Sequence, residues 1–208
     1  MTGIVVTGGN APEFKFIKKF ISNADFIVAA DSGLDTLHSY GIEPDIVIGD
    51  MDSIKNPSLL QKMDPGKIIR FHKDKDYTDT ELALDYLDRA GYQKKIIIGG
   101  GGGRLDHQIA LYSLFSRNKS PDMWITPNEK ILLVENDFSI SIKKNTIVSL
   151  FPICSEICRM KSSGLKWELN GLEWTIGDSG ISNIALNDTI LINMISGRLI
   201  MIIPLSKH

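Results

Sequence analysis

The feature that most constrains this chain is a short apolar, β-branched run that recurs through its first half and each time hands over to glycine or aspartate. Ile4-Val5-Val6 leads through Thr7 into Gly8-Gly9-Asn10, and Phe26-Ile27-Val28-Ala29-Ala30 leads into Asp31-Ser32-Gly33. Ile46-Val47-Ile48 leads into Gly49-Asp50, and Ile96-Ile97-Ile98 leads into five consecutive glycines at 99–103. A strand that is apolar on both faces must be covered on both, as in a parallel sheet packed between helices. The intervening segments supply those helices. Over residues 78–90, Thr78 and Glu81 have the spacing of a capping box, Leu82, Ala83, Tyr86, Leu87 and Ala90 recur at helical spacing, and Gly91 follows as a stop. Residues 33–39 and the stretch after His107 read as helices too. The alternation predicts an open α/β sheet with ligands at the C-terminal ends of its strands.

From about residue 128 the period changes. Residues 131–134, 138–142, 146–151 and 165–169 are strand-like, Asn170-Gly171 is a hairpin signal, and 172–176 would be the returning strand. Residues 190–195 and 199–203 flank a turn at Gly197, and no convincing helix intervenes. This half reads as a small antiparallel β-sandwich or barrel. The expected domains are therefore an N-terminal open α/β sheet domain over 1–126 and an antiparallel β-sandwich domain over 127–208.

Composition narrows the partners. A net charge of −2 gives no electrostatic case for nucleic acid or an anionic membrane. The N-terminal residues lack the basic region of a signal peptide. The most apolar stretch, 190–205, is interrupted by Ser196-Gly197-Arg198 and is too short to span a bilayer. A cytoplasmic protein is expected. Cys154 and Cys158 form no disulfide framework, and with no histidine nearby they cannot complete a zinc site.

The chemistry concentrates in acidic and glycine-rich segments at the strand ends. Asp50 and Asp52 flank Met51 directly after an apolar strand. In extended backbone, residues two apart point the same way, so both carboxylates can address one point. Two carboxylates at close range repel unless a cation lies between them, and Mg²⁺ prefers such hard oxygen ligands. Asp76 and Asp79 bracket the cap of the helix at 78–90, where Asp79 also complements the helix dipole. Lys73 and Lys75 add positive charge for phosphates. In the 99–103 run, which includes Gly102, backbone amides can turn toward a phosphate. Arg104 can clamp phosphate oxygens, and Asp106 can reach a metal or a substrate proton. This is neither a Walker loop nor a dinucleotide fingerprint, since no Gly-Lys-Ser/Thr follows and Arg104 stands in place of the last glycine. The loops holding Gly8, and Asp31 with Gly33, can border a nucleotide, though each also reads as a plain turn.

The order of these segments resembles the thiamine pyrophosphokinase (thiamine diphosphokinase) family. The resemblance runs through Thr7-Gly8-Gly9-Asn10, Ala30-Asp31-Ser32-Gly33, the segments 44–54, 74–84, 99–107 and 164–169, and Gly180-Ile181-Ser182-Asn183. It implies an α/β domain followed by a β-sandwich domain that binds thiamine and dimerises, with the active site between subunits of a homodimer. It implies diphosphate transfer from ATP to the thiamine hydroxyl, giving thiamine diphosphate and AMP. Asp50, Asp52 and Asp79 correspond to Mg²⁺-binding carboxylates, and Asp106 to the fourth acidic residue of the site. Gly8, Asp31, Gly33, Gly102 and Arg104 correspond to nucleotide-facing positions, and Ser182 and Asn183 to a pair facing thiamine. Lys75 stands near thiamine where animal members carry glutamine, and residues 199–203 lack the tryptophan that animal members stack on the vitamin. Two alternatives remain at this level: a pyrophosphokinase for another hydroxymethyl heterocycle, such as a pterin, and a non-catalytic nucleotide-binding module.

Overall fold

The computed structural model describes residues 1–74 and 76–205, which divide into two compact units: residues 1–114 with 118–127, and residues 115–117 with those from 128 onward. The first unit runs β1 (Thr2–Val6), α1 (Phe14–Ser22), β2 (Phe26–Ala30), α2 (Gly33–Ser39), β3 (Ile46–Gly49), α3 (Ser58–Lys62) and β4 (Ile68–Arg70). It continues through α4 (Asp79–Arg89), β5 (Lys94–Ile98), α5 (Leu105–Ser113) and β6 (Met123–Ile125). Its strands lie in the order β6-β5-β1-β2-β3-β4, every neighbouring pair parallel. The chain steps outward from β1 to β4, then crosses back to β5 on the other side of β1. The loops after β1 and β5 therefore flank the point where strand order reverses, which is where open α/β sheets take ligands.

Burial explains the sheet. Ile4, Val5, Val6, Ile96, Ile97 and Ile98 are all essentially inaccessible to solvent, as central strands covered on both faces must be. Helix α4 carries the capping box anticipated from Thr78 and Glu81: Glu81 N donates to Thr78 Oγ1 at 3.3 Å, and Thr78 N donates to Glu81 Oε2 at 2.7 Å. It buries Thr80, Ala83, Leu84 and Leu87, the stripe set by helical spacing. One charge is buried with it. Lys95 of β5, 6% exposed in its side chain, donates from Nζ to Asp88 Oδ1 at 2.5 Å and to Lys119 O at 3.1 Å, tying α4 and the approach to β6 to the sheet.

The second unit is an antiparallel sandwich. It contains β7 (Glu129–Val134), β8 (Asp137–Ser141), β9 (Ile147–Pro152), β10 (Cys158–Ser163), β11 (Glu173–Trp174), β12 (Gly180–Ile184), β13 (Thr189–Ser196) and β14 (Leu199–Pro204). Neighbours are β12-β9-β14-β7 in one layer and β11-β10-β13-β8 in the other. Inward residues alternate with outward ones: Val148 and Leu150 on β9, Cys158 and Met160 on β10, and Ile190 and Ile192 on β13 are buried. Among the described residues from 128 onward there is no helix. Cys154 and Cys158 are free thiols with sulfurs 3.6 Å apart.

One expected strand does not form, and the next is shorter than expected, Glu173–Trp174 in place of 172–176. Residues 165–169 are not a strand; Leu165 makes a single bridge with Ala185. Asn170-Gly171 does turn the chain, with Leu172 N donating to Leu169 O at 3.2 Å, but inside the long 164–172 connection between the paired strands β10 and β11 rather than as a tight hairpin turn. Side chains take the hydrogen bonds that a ladder would use. Asn170 Oδ1 accepts from Ser162 N at 2.9 Å, Glu168 accepts from the Ser162 hydroxyl and from Leu165 N, and Ser162 Oγ accepts from Leu169 N at 2.8 Å. Such local bonding competes with sheet formation.

Candidate active site

Parallel strands place the loops after β5, β1, β2, β3 and β4 side by side along one edge of the first unit. On that edge Asp31, Asp50 and Asp52 each offer a carboxylate oxygen, all within 4.8 Å of one another. Asp31 was expected at the nucleotide; strand pairing of β2 with β3 puts it beside the Asp50 pair. Asp31 is 9% exposed, and its Oδ1 is buried without a hydrogen-bond partner among the described residues. A buried carboxylate oxygen in that condition needs a cation or a donor. Asp79 adjoins the group across Gly49: a Cβ on Gly49 would lie 3.1 Å from Asp79 Oδ1 and 3.2 Å from Asp31 Cβ. Glycine at 49 lets the two aspartates close over the strand end. The start of α4 is fixed there by Thr80, whose Oγ1 is 2.8 Å from Thr7 Oγ1.

Asp50 and Asp52 do meet, but not through extended backbone. Met51 between them has φ 69°, in the left-handed region, and Asp52 N donates to Asp50 Oδ1 at 3.1 Å. The Met51 side chain is buried and pins this turn. Asp31 is also left-handed, at φ 46°. Two non-glycine residues in that region, both at the carboxylate group, are the kind of stored strain that gathers at functional sites. Lys73 Nζ donates to Asp52 Oδ2 at 2.6 Å. That hydrogen bond, with a second from Ser53, holds the Asp52 carboxyl below its ordinary range.

The glycine run is docked on the loop after β1. Gly100 N donates to Gly8 O at 2.8 Å, and Asn10 and Gly101 exchange both backbone hydrogen bonds at 2.7 and 3.0 Å. The amides of Gly100 and Gly101, expected to face a phosphate, are thus used within the protein. Trp124 Nε1 donates to Gly99 O at 2.7 Å and anchors the run from below. Gly33 has a different constraint, because a Cβ there would fall 1.9 Å from Val6 O, so α2 can begin against β1 only with glycine. Arg104 and Asp106 engage each other as a fork, at 3.2 Å from Nε to Oδ1 and 2.5 Å from NH2 to Oδ2. The guanidinium holds the Asp106 carboxyl below its ordinary range.

In the second unit, Ser182 is exposed and left-handed, at φ 58°, where β12 bulges against β9. Asn183 is 3% exposed and its amide is engaged with backbone: Oδ1 accepts from Trp167 N at 3.1 Å and Ile184 N at 2.8 Å, and Nδ2 donates to Trp167 O at 2.7 Å. Trp167 lies in the 164–169 segment of the family resemblance and in the expected strand 165–169, neither of which gave it a role of its own. Lys75 lies outside the described residues.

An open α/β unit carrying an aspartate group at its strand ends, followed by an antiparallel β-sandwich, defines the class. The comparisons make it specific. Residues 17–126 match the model of the thiamin pyrophosphokinase catalytic domain, and residues 135–199 match that of the thiamin pyrophosphokinase vitamin B1 binding domain. This chain belongs to the thiamin pyrophosphokinase family. It is 26% identical over 212 residues to the thiamine pyrophosphokinase of Bacillus subtilis (strain 168), covering 95% of this chain and 96% of that one. It is also 26% identical over 156 residues to thiamine pyrophosphokinase 2 of Arabidopsis thaliana, covering 65% of this chain and 55% of that one. A crystal structure of the B. subtilis thiamine pyrophosphokinase superposes with a TM-score of 0.81 at 25% identity, covering 98% and 99% of the two chains. A family member from Enterococcus faecalis shares the fold, with a TM-score of 0.82 at 20% identity and full coverage of both chains.

Proposed function

We propose that this chain is a thiamine diphosphokinase, transferring a diphosphate group from ATP to the hydroxyl of thiamine. The observation that carries this reading is the succession of two thiamin pyrophosphokinase domain models along one chain, the first spanning the aspartate group at the strand ends. The pterin alternative finds no support in the relatives. The hydroxyl oxygen bonds to the β-phosphorus, the bond from that phosphorus to the α–β bridging oxygen breaks, and AMP leaves with that oxygen.

The residues at the strand ends fit Mg²⁺. Hard carboxylate oxygens converge within 4.8 Å, and the buried Asp31 Oδ1 is without a partner among the described residues. Asp50, Asp52 and Asp79, with Asp31, would hold it. When bound, the ion neutralises charge on the phosphate oxygens. Arg104 becomes a phosphate ligand by exchanging Asp106 for phosphate oxygens, a geometry its fork also suits. While paired with Arg104, Asp106 is a weak base, because its carboxyl is held below the ordinary range.

We further propose a cytoplasmic homodimer. No helix among the described residues is long and apolar enough to cross a membrane. The exposed Ile181, Leu191 and Ile195 of β12 and β13 give a second copy apolar surface to cover. The test of the reading is incubation with ATP, Mg²⁺ and thiamine, followed by separation of the nucleotides. AMP formed one-for-one with thiamine diphosphate is expected. ADP with thiamine monophosphate would replace the proposed transfer with ordinary γ-phosphoryl transfer.

A further inference from the structure

The chain has two cysteines, and the fold brings them together. Cys154 lies just after β9 and Cys158 opens β10, with the exposed residues 155–157 looping between them. Their sulfurs stand 3.6 Å apart. The facing wall is the turn between β13 and β14. Gly197 in that turn has φ 75°, and a Cβ on it would lie 2.6 Å from Cys158 Sγ and 3.2 Å from Cys154 Sγ. A positive φ alone admits asparagine; with the two sulfurs in place, only glycine leaves them room.

Arg198, next in the turn, touches both thiols. Its N–H donates to Cys154 Sγ at 3.2 Å, and its carbonyl accepts from the Cys158 thiol at 3.4 Å and from Ile153 N at 3.1 Å. Its guanidinium donates to Ser116 O at 3.0 Å and to Arg117 O at 3.1 Å, which steadies the turn from its other side. A free cysteine packs as a small apolar residue, but two in contact under a fixed turn also have thiol–disulfide exchange open to them.

We propose that Cys154 and Cys158 are a redox-active dithiol, which exchanges with small-molecule disulfides to form an intramolecular disulfide and is regenerated by small thiols. Cys154, half-buried, is the sulfur that an incoming disulfide reaches; Cys158, fully buried, is the resolving one. Burial, followed by the hydrogen bond with Cys154, pushes the Cys158 thiol up to about 11, which makes it the poorer first nucleophile. In the first step the Cys154 thiolate attacks one sulfur of the small disulfide, a mixed disulfide forms, and one small thiolate leaves. In the second, Cys158 loses its proton and attacks Cys154 Sγ, and the other small thiolate leaves. The two protons given up by the cysteines end on the two small thiols, so the protein is oxidised by two electrons and the small disulfide is reduced by two. The exposed loop of 155–157 lets Cys154 close on Cys158 while the turn at Gly197 stays in place. In a reducing compartment the pair rests as the dithiol. This chemistry belongs to the second unit alone and does not depend on the diphosphokinase reading.

The experiment equilibrates the full chain with mixtures of reduced and oxidised glutathione, quenches in acid, unfolds, labels with a maleimide and measures the intact mass. Wild type should pass from two labels to none as the mixture becomes oxidising, retaining no glutathione, and the unlabelled form should weigh two hydrogens less than the dithiol. Cys158→Ser should stop at a glutathione adduct on Cys154. Cys154→Ser should form an adduct on Cys158 at least about tenfold more slowly. Two labels on wild type in every mixture, a lasting glutathione adduct on wild type, or a disulfide between two copies overturns the proposal. Equal rates of adduct formation in the two serine variants overturn it too, because Cys154 is then not the attacking thiol. Where a serine variant does not fold, the wild-type titration decides by itself.

Discussion

Asn183 clamps Trp167 at both of its peptide groups, accepting from its N–H at 3.1 Å and donating to its carbonyl at 2.7 Å. This links β12 to the loop of 164–172, and it does so from a side chain that is 3% exposed. Removing the amide leaves buried backbone groups unmatched, a desolvation cost of about 1–3 kcal/mol per group. Asn183→Ala should therefore destabilise the protein by about 2 kcal/mol or more. Urea denaturation checks this: the midpoint should fall with little change in the slope. An unchanged midpoint would remove the clamp from the account of this loop.

The aspartate group predicts a coupling between metal and stability. With Asp31, Asp50 and Asp52 within 4.8 Å, added Mg²⁺ should relieve their repulsion and raise the melting temperature of the wild type. Asp50→Asn and Asp52→Asn should melt at or above the metal-free wild type, respond less to Mg²⁺, and lose at least about a hundredfold in turnover. Calorimetric melting with and without MgCl₂, alongside the activity assay, tests both halves. Near wild-type turnover with an unaltered Mg²⁺ response in either variant would remove that residue from the metal group.

Lys73 predicts a titration. Its hydrogen bond to Asp52 at 2.6 Å, followed by that from Ser53, favours the carboxylate and lowers the Asp52 pKa. The sign follows from linkage: any stabilisation by this pair is present above the unfolded-state pKa of aspartate and is lost as pH falls through the lower folded-state value. Lys73→Met should move the Asp52 titration, followed by carboxyl-carbon NMR, back up toward the ordinary value. Both partners are exposed, so thermal stability at neutral pH should barely change.

The buried pair of Lys95 and Asp88 behaves differently. Their side chains are only 6% and 12% exposed, and removing one partner strands the other charge. Asp88→Ala should cost about 3–5 kcal/mol of stability, measured by denaturant unfolding. Replacing both residues by apolar ones of similar volume should recover much of the loss. If Asp88→Ala proves harmless, the ammonium has found a compensating partner, and the pair is not what holds α4 to β5.

Much of the fold was legible in local pattern. The strand of Phe26–Ala30 and the helix of Gly33–Ser39 end where the apolar runs and turn residues place them, and the Thr78–Glu81 cap is made as spelled. Those signals work because capping and alternation act between residues close in sequence. Less legible were β10 and β12, Cys158–Ser163 and Gly180–Ile184, whose strands carry too much polar character to show an apolar period. Residues 165–169 read as a strand, yet Glu168 and Asn170 bend the segment back on Ser162 through bonds that no periodicity displays.

By itself the sequence determined the two-part architecture and the segments that carry acidic and glycine-rich chemistry, because period and turn chemistry are local properties. Only the tertiary structure decided which of those residues meet. Asp31 stands beside Asp50 and Asp52 because β2 pairs with β3. The amides of Gly100 and Gly101 are used by Gly8 and Asn10 because β5 lies next to β1. Asn183 holds Trp167 because β12 brings it beneath a loop sixteen residues earlier in the chain. Each meeting depends on strand order or on a left-handed turn such as that of Met51, and neither is encoded within the reach of one local pattern.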